Sequence, residues 1–201
     1  MDVFFTPEDR QRYLAWLADY AQRQGVDVLG WCLMTNHVHL VLRPPEEQPA
    51  ALGLTLRGLH MRYSQWVNRR QGWSGHLWQS RFYSCVLDDR HCWAALRYVE
   101  QNPVRAGLVT EAPAYPWSSA AAHCGLADGP GLDERWFAGV TPAAWREELR
   151  VPLVDEELDL VRRRTFNGLP CGSADHMKAV GERLGRELQE RGRGRPPGSA
   201  G

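Results

Sequence analysis

A chain of 201 residues, 43% hydrophobic and 24% charged, is long enough to bury a core and short enough for one domain with an appendage. No apolar run approaches the roughly 20 residues that span a bilayer, and the opening MDVFFTPEDRQRYLAWL lacks the layout of a signal peptide. The zero net charge conceals alternation: four basic against seven acidic residues in 1–50, eight against three in 51–110, three against ten in 111–160, and nine against four in 161–201.

Thr6, Pro7, Glu8 and Asp9 make a helix start; Tyr13, Leu14, Leu17 and Ala21 share one face and Gly25 closes it, so a helix is expected over about 7–24. VDVLGWCLM and HVHLVLRP read as two strands joined by Thr35-Asn36. In the second strand His37 and His39 fall on one face, while Val38, Leu40 and Leu42 fall on the other. QPAALGLTLRGLHMRYSQWVNRRQG repeats Leu52, Leu56, Leu59, Tyr63 and Trp66 with arginines between, an amphipathic helix with a basic outer side. GWSGHLWQSRFYSCVLD is expected to turn on its glycines into a third strand over about 80–87. Asp88 or Asp89 then caps a helix over 89–102 that Pro103 ends. The order α-β-β-α-β-α predicts an α+β fold, an antiparallel sheet with helices packed on one face. Further on, AGLVTEAPAYPWSSAAAHCGLADGPG reads as a wrapping loop, 133–149 and 155–165 as short helices, and 173–190 as a helix before a basic Gly/Pro-rich end expected to be disordered. This divides the chain into a domain over 1–125 and a helical extension over 126–201.

Five cysteines (Cys32, Cys85, Cys92, Cys124, Cys171), odd in number and without a C-x-x-C pair, point to a reducing compartment and away from a disulfide framework or zinc ribbon. Of 24 basic residues only Lys178 is not arginine, and the planar guanidinium fork suits phosphate and hence nucleic acid. The paired histidines admit three readings. They are structural residues; or part of an alternating nucleotide-binding triad, which Val41 rules out; or two ligands of a metal site completed from elsewhere. Tyr98 and Asn102, four apart, project from one helical face and offer a phenolic nucleophile and an amide oxygen suited to Mg²⁺ or Mn²⁺. Laid over the histidine surface, that face fits phosphoryl transfer, with the phosphodiester polarised by a metal and attacked by tyrosine. Taken alone, Tyr98 also suits a core-facing aromatic. Tyr63 and Tyr83 lack a ligand-type residue four positions on, where Val67 and Leu87 stand. Arg57, Arg62, Arg69 and Arg70 on the second helix, and Arg81, Arg97 and Arg105 near the site, are candidate phosphate contacts; a solvated helix face is the plainer alternative. Arg191, Arg193 and Arg195 would add sequence-independent affinity. Trp73 and Trp78 suit either base stacking or a core.

MTNHVHLVL, GHLWQSRFYSCVL, ALRYVEQNPVRAGLV and YPWSS, in this order and at these separations, resemble single-tyrosine transposases of the HUH class, nearest the branch associated with repetitive extragenic palindromes. RRRTFNGLPCGSADHMKAVGERLGRELQERGRGRPP resembles that branch's C-terminal helix and Gly-Arg-Pro end, so the resemblance runs from about Pro7 to Pro197. H-x-H alone is unspecific; combined with Y-x-x-x-N-P-V-x-A-G it is highly specific. The resemblance implies a ferredoxin-like HUH nuclease fold, His37 and His39 as the metal pair, Asn102 completing the coordination of Mg²⁺ or Mn²⁺, and Tyr98 as nucleophile. It implies cleavage and rejoining of single-stranded, hairpin-bearing DNA through a 5′-phosphotyrosine, without ATP, in a bacterial cytoplasm at the nucleoid. It leaves monomer or homodimer open. Thr35 stands where relatives commonly have proline, and the strand they carry before the first helix is expected to be missing from MDVFFTPEDR. Losing an inner strand would expose unpaired backbone. That makes a hairpin-DNA-binding protein without catalysis the alternative, and an RNA- or nucleotide-processing metalloprotein a third reading.

Overall fold

The Thr6 hydroxyl accepts the Asp9 N–H at 3.3 Å, and the Asp9 carboxylate accepts the Thr6 N–H at 2.9 Å, the reciprocal cap that starts a helix. In the computed structural model, which describes residues 2–153, 155–185 and 188, this cap opens α1 (Pro7–Gln24), which ends at Gly25 with φ 65°. An antiparallel hairpin follows, β1 (Asp27–Leu33) and β2 (Val38–Arg43), then α2 (Ala50–Gln71) and α3 (Asp89–Arg105). Next come a 3₁₀ turn (Ala112–Ala114), α4 (Ala120–His123), a second 3₁₀ turn (Glu134–Phe137), α5 (Pro142–Arg150), α6 (Asp155–Asn167) and α7 (Ala174–Leu184). The class is α+β, as the sequence predicts. Among the described residues no helix is long and apolar enough to cross a membrane.

The chain forms two compact units, Met1–Arg81 with Cys92–Val154, and Phe82–His91 with Asp155–Gly201. In the first, register decides what each face of the hairpin carries. Val28 pairs with Leu42 and Gly30 with Val41, so Leu29 is an extra residue, a bulge. The bulge shifts the phase and puts Val28 on the same face as Trp31 and Leu33. These three are 1%, 3% and 0% exposed, and pack with Val38, Leu40 and Leu42 against Tyr13, Leu17, Leu59, Tyr63 and Val67 of α1 and α2. The two helices approach closely at Gly58, where a Cβ would come within 2.5 Å of the Tyr20 ring. The opposite face holds Gly30, Cys32, His39 and Val41, and α3 lies there. Helices therefore take both faces of the hairpin, because bulge and alternation leave two faces that each need cover.

The β1 edge away from β2 is paired by later sequence. Leu33 N–H donates to Trp117 O at 2.8 Å, Ser119 N–H to Trp31 O at 2.9 Å, and Asp133 N–H to Val28 O at 2.8 Å. The Tyr115 hydroxyl donates to Leu33 O at 2.9 Å. The YPWSS segment is thus a partner of the outer β1 edge.

Residues 80–87 do not form the expected strand. Only Leu87 makes a bridge, to Cys171 in the second unit, and Phe82, Tyr83 and Val86 are exposed. An extended segment counts as a strand only where its backbone pairs along several residues, and here the pairing is limited to Leu87. α3 also runs past Pro103 to Arg105: proline removes one N–H, while Ala106 N–H still reaches Asn102 O and Leu108 N–H reaches Pro103 O, both at 2.9 Å. The helix expected over 133–149 is divided, with Gly139 at φ 93° and Thr141 recapping α5. α7 stops at Gly185, φ 60°, short of the expected 190. The basic tail expected to be disordered lies outside the described residues.

Candidate active site

α3 can sit close to the hairpin because Gly30 has no side chain: a Cβ there would stand 2.6 Å from Leu96 Cδ2. Its rotation about its own axis is set by Glu100. That carboxylate is fully buried, and Oε1 accepts from the Ser119 hydroxyl and from His123 Nδ1, both at 2.5 Å. Oε2 accepts from Trp145 Nε1 at 2.8 Å. Gln101, next to it, donates to Leu149 O at 2.9 Å and Val151 O at 2.8 Å. With Glu100 and Gln101 held this way, Tyr98 and Asn102 are turned towards the hairpin. The sequence shows a charged residue inside an apolar helix face, the one signal that could have exposed Glu100; its partners are remote in sequence. His123 is part of this buried network.

His37 Nε2 and His39 Nε2 lie 3.1 Å apart, their rings nearly perpendicular at 86°. Asn36 Oδ1 is 2.6 Å from His37 Nδ1, leaving Nε2 facing its neighbour. Desolvation by its neighbours lowers the His37 pKa and so favours the neutral imidazole, the form that binds metal. The Asn102 amide comes within 3.1 Å of His39 Nε2, and a half-turn of that amide presents Oδ1 instead. The Tyr98 ring, 9% exposed, packs edge-on against His39 at 5.3 Å between centroids. The Arg105 guanidinium lies 5.5 Å from the centre of the Tyr98 ring. His37, His39, Tyr98 and Asn102 thus converge.

These donors fit a divalent cation. Among the described residues no three of His, Cys, Asp and Glu converge; the Asn102 amide, 3.1 Å from His39, is the residue that could add a third donor to the two imidazoles. That set of two imidazoles and one amide leaves room for the oxygens of water or phosphate.

The candidate arginines divide. Arg105 is exposed beside Tyr98, and Arg57, Arg69 and Arg81 are exposed elsewhere. Arg62 lies over Trp16, 4.6 Å from its centre, and 3.6 Å from Asp19. Arg70 pairs with the buried Asp9, Nη2 to Oδ2 at 2.9 Å, and covers Trp66. Burial alone would raise the Asp9 carboxyl, but Arg70 and the N–H groups of Phe5 and Thr6 together lower it. Arg97 donates to Val151 O at 3.0 Å and is committed to the α5 end.

The hairpin thus presents two imidazoles to a tyrosine and an asparagine one helical turn apart. The family model described as "Transposase IS200 like" matches residues 2–102, about half of the 201, and the chain belongs to that family. The match takes in His37, His39, Tyr98 and Asn102. A Haemophilus influenzae protein named "Putative REP-associated tyrosine transposase" is 23% identical over 137 residues, 58% of this chain and 77% of that protein. No solved structure matches.

Proposed function

We propose that this transposase cleaves and rejoins single-stranded DNA beside a hairpin through a 5′-phosphotyrosine on Tyr98. The observation that carries the reading is the meeting of Tyr98 and Asn102 with His39 on one face of the hairpin, at 5.3 Å between rings and 3.1 Å between nitrogens. The name of the Haemophilus influenzae relative supports a palindromic DNA substrate.

His37, His39 and Asn102 would hold Mg²⁺ or Mn²⁺. Such an ion polarises a phosphodiester and offsets charge that builds on its oxygens. Arg105, above the Tyr98 ring, attracts the same phosphate and aligns it with the phenol. Tyr98 loses its Oη proton and bonds to phosphorus as the bond to the 3′ oxygen breaks; that oxygen takes a proton and leaves as a 3′-hydroxyl. The phosphotyrosine keeps the energy of the broken ester, so a 3′-hydroxyl attacking it rejoins DNA and returns the phenol.

Incubation of the wild-type chain with hairpin-bearing single strands and Mg²⁺ or Mn²⁺ should give a covalent adduct on a denaturing gel. Tyr98→Phe should give none, and His37→Ala or His39→Ala should abolish cleavage. An adduct that survives Tyr98→Phe would remove Tyr98 as the nucleophile.

A further inference from the structure

Phe5 and Trp73 are aromatic residues that the core does not use. They are 38% and 45% exposed and meet edge to face, 5.6 Å between centroids at 80°. Trp78 differs: it is half-buried and stacked on His60 at 4.5 Å. The neighbouring Phe4 is 2% exposed, packed against Tyr13 and Tyr63, so the chain turns one phenylalanine in and the next one out.

Both outer rings stand on fixed backbone. Phe5 N–H donates to the buried Asp9 carboxylate at 2.6 Å, the same carboxylate that pairs with Arg70. Trp73 follows Gly72, the left-handed end of α2, and its N–H donates to Asn68 O at 2.8 Å. Phe5 is also tethered to the turn that precedes His37. Val3 and Phe4 N–H both donate to Thr35 O, at 2.9 and 3.1 Å, two residues before His37. Bond lengths alone then keep the Phe5 and His37 Cα atoms within about 15 Å. Arg69 is exposed at the α2 end, four residues before Trp73.

We propose that Phe5 and Trp73 form a stacking platform for an unpaired base of the DNA strand that passes the His37–His39 site; this rests on the strand-transfer reading. Two rings are too small a patch for a protein interface. Exposed rings on hydrogen-bonded backbone, with the exposed Arg69 four residues from Trp73 in sequence, suit a polyanion with flat bases, and stacking of this kind tolerates any sequence.

The test is fluorescence anisotropy in the Tyr98→Phe background, with labelled oligothymidylate of about 20 nucleotides and a duplex of similar length as probes. Adding Trp73→Ala should weaken single-strand binding by about fivefold or more, and Trp73→Phe should recover most of it. The slope of log Kd against log salt should stay unchanged, because the lost contact carries no charge. Duplex binding should also stay unchanged. Equal single-strand affinity with and without Trp73→Ala overturns the platform. So does an equal loss on duplex, which would mark a general or protein-facing surface, or a Tyr98→Phe chain that binds no oligothymidylate. Failure of the underlying reading looks different: the Trp73 effect persists, while wild type forms no adduct with any divalent ion.

Discussion

Glu100 sits two residues from Tyr98 and points the other way, into a pocket with no exposed surface. Replacing it with alanine leaves Trp145 Nε1 without its acceptor, leaves the Ser119 hydroxyl only the longer bond to Trp31 O at 3.3 Å, and takes the carboxylate from His123. Leaving buried hydrogen-bonding groups unpaired costs about 1–3 kcal/mol each; Glu100→Ala should lower the urea midpoint accordingly, and Glu100→Gln, which keeps an acceptor, by less. His60 gives the pH dependence at this scale. Burial lowers its pKa to about 4, and its Nε2 lies 3.0 Å from the Tyr13 hydroxyl. An unfolded histidine takes its proton near about 6.5, the folded one only near 4, so stability is complete above 6.5 and declines as pH falls between these values. The loss is about 3 kcal/mol. Urea midpoints from about pH 7 to about pH 4 should follow it, and His60→Asn should flatten that part of the curve. Residue spacing made the catalytic candidates legible: i, i+2 on a strand and i, i+4 on a helix are local rules, and His37, His39, Tyr98 and Asn102 obey them. Glu100 was not legible, because its partners lie 19, 23 and 45 residues away.

At the scale of elements, α1, both strands and α2 follow from caps and periodicity, and the structure keeps their limits within a few residues. Residues 80–87 show what periodicity omits. A run of β-favouring residues forms a strand only if another strand pairs with it, and the run itself does not say whether one does. The bulge at Leu29 was equally hidden, since every neighbour there is apolar or glycine and no alternation marks the phase. Gly30 then makes a testable hinge between packing and chemistry. Gly30→Val drives branched carbon into Leu96 and should cost about 1–3 kcal/mol, lifting α3 from the hairpin. Adduct formation by the folded fraction should fall with it. Gly58→Ala crowds Tyr20 between α1 and α2 instead; it should lower the melting temperature while sparing adduct formation. Equal activity losses in the two variants would show that α3 placement does not govern the site.

The whole molecule comprises one unit built on the hairpin and another that joins 82–91 to the C-terminal helices. Asp88 ties the second unit together, accepting His91 N–H at 2.9 Å and Ser173 N–H at 2.8 Å. Burial acts to raise its pKa, but these bonds and the His91 ring outweigh it and bring the carboxyl to about 2. A carboxylate lowered in the fold stabilises it above its ordinary pKa, and that contribution fades as pH drops from 3.8 towards 2. Protection against hydrogen exchange in 82–91 and 171–185, taken relative to the intrinsic rate at each pH, should therefore fall over that interval, and Asp88→Asn should lower it at neutral pH. In the hairpin unit, Ser119 serves two masters. Its amide closes the flank of β1 and its hydroxyl grips the carboxylate that orients α3. A foreign strand annealing to that flank would have to peel Ser119 away, and the helix that carries Tyr98 would lose its anchor in the same event. Invasion of the sheet and misalignment of the tyrosine are thereby one mechanical act.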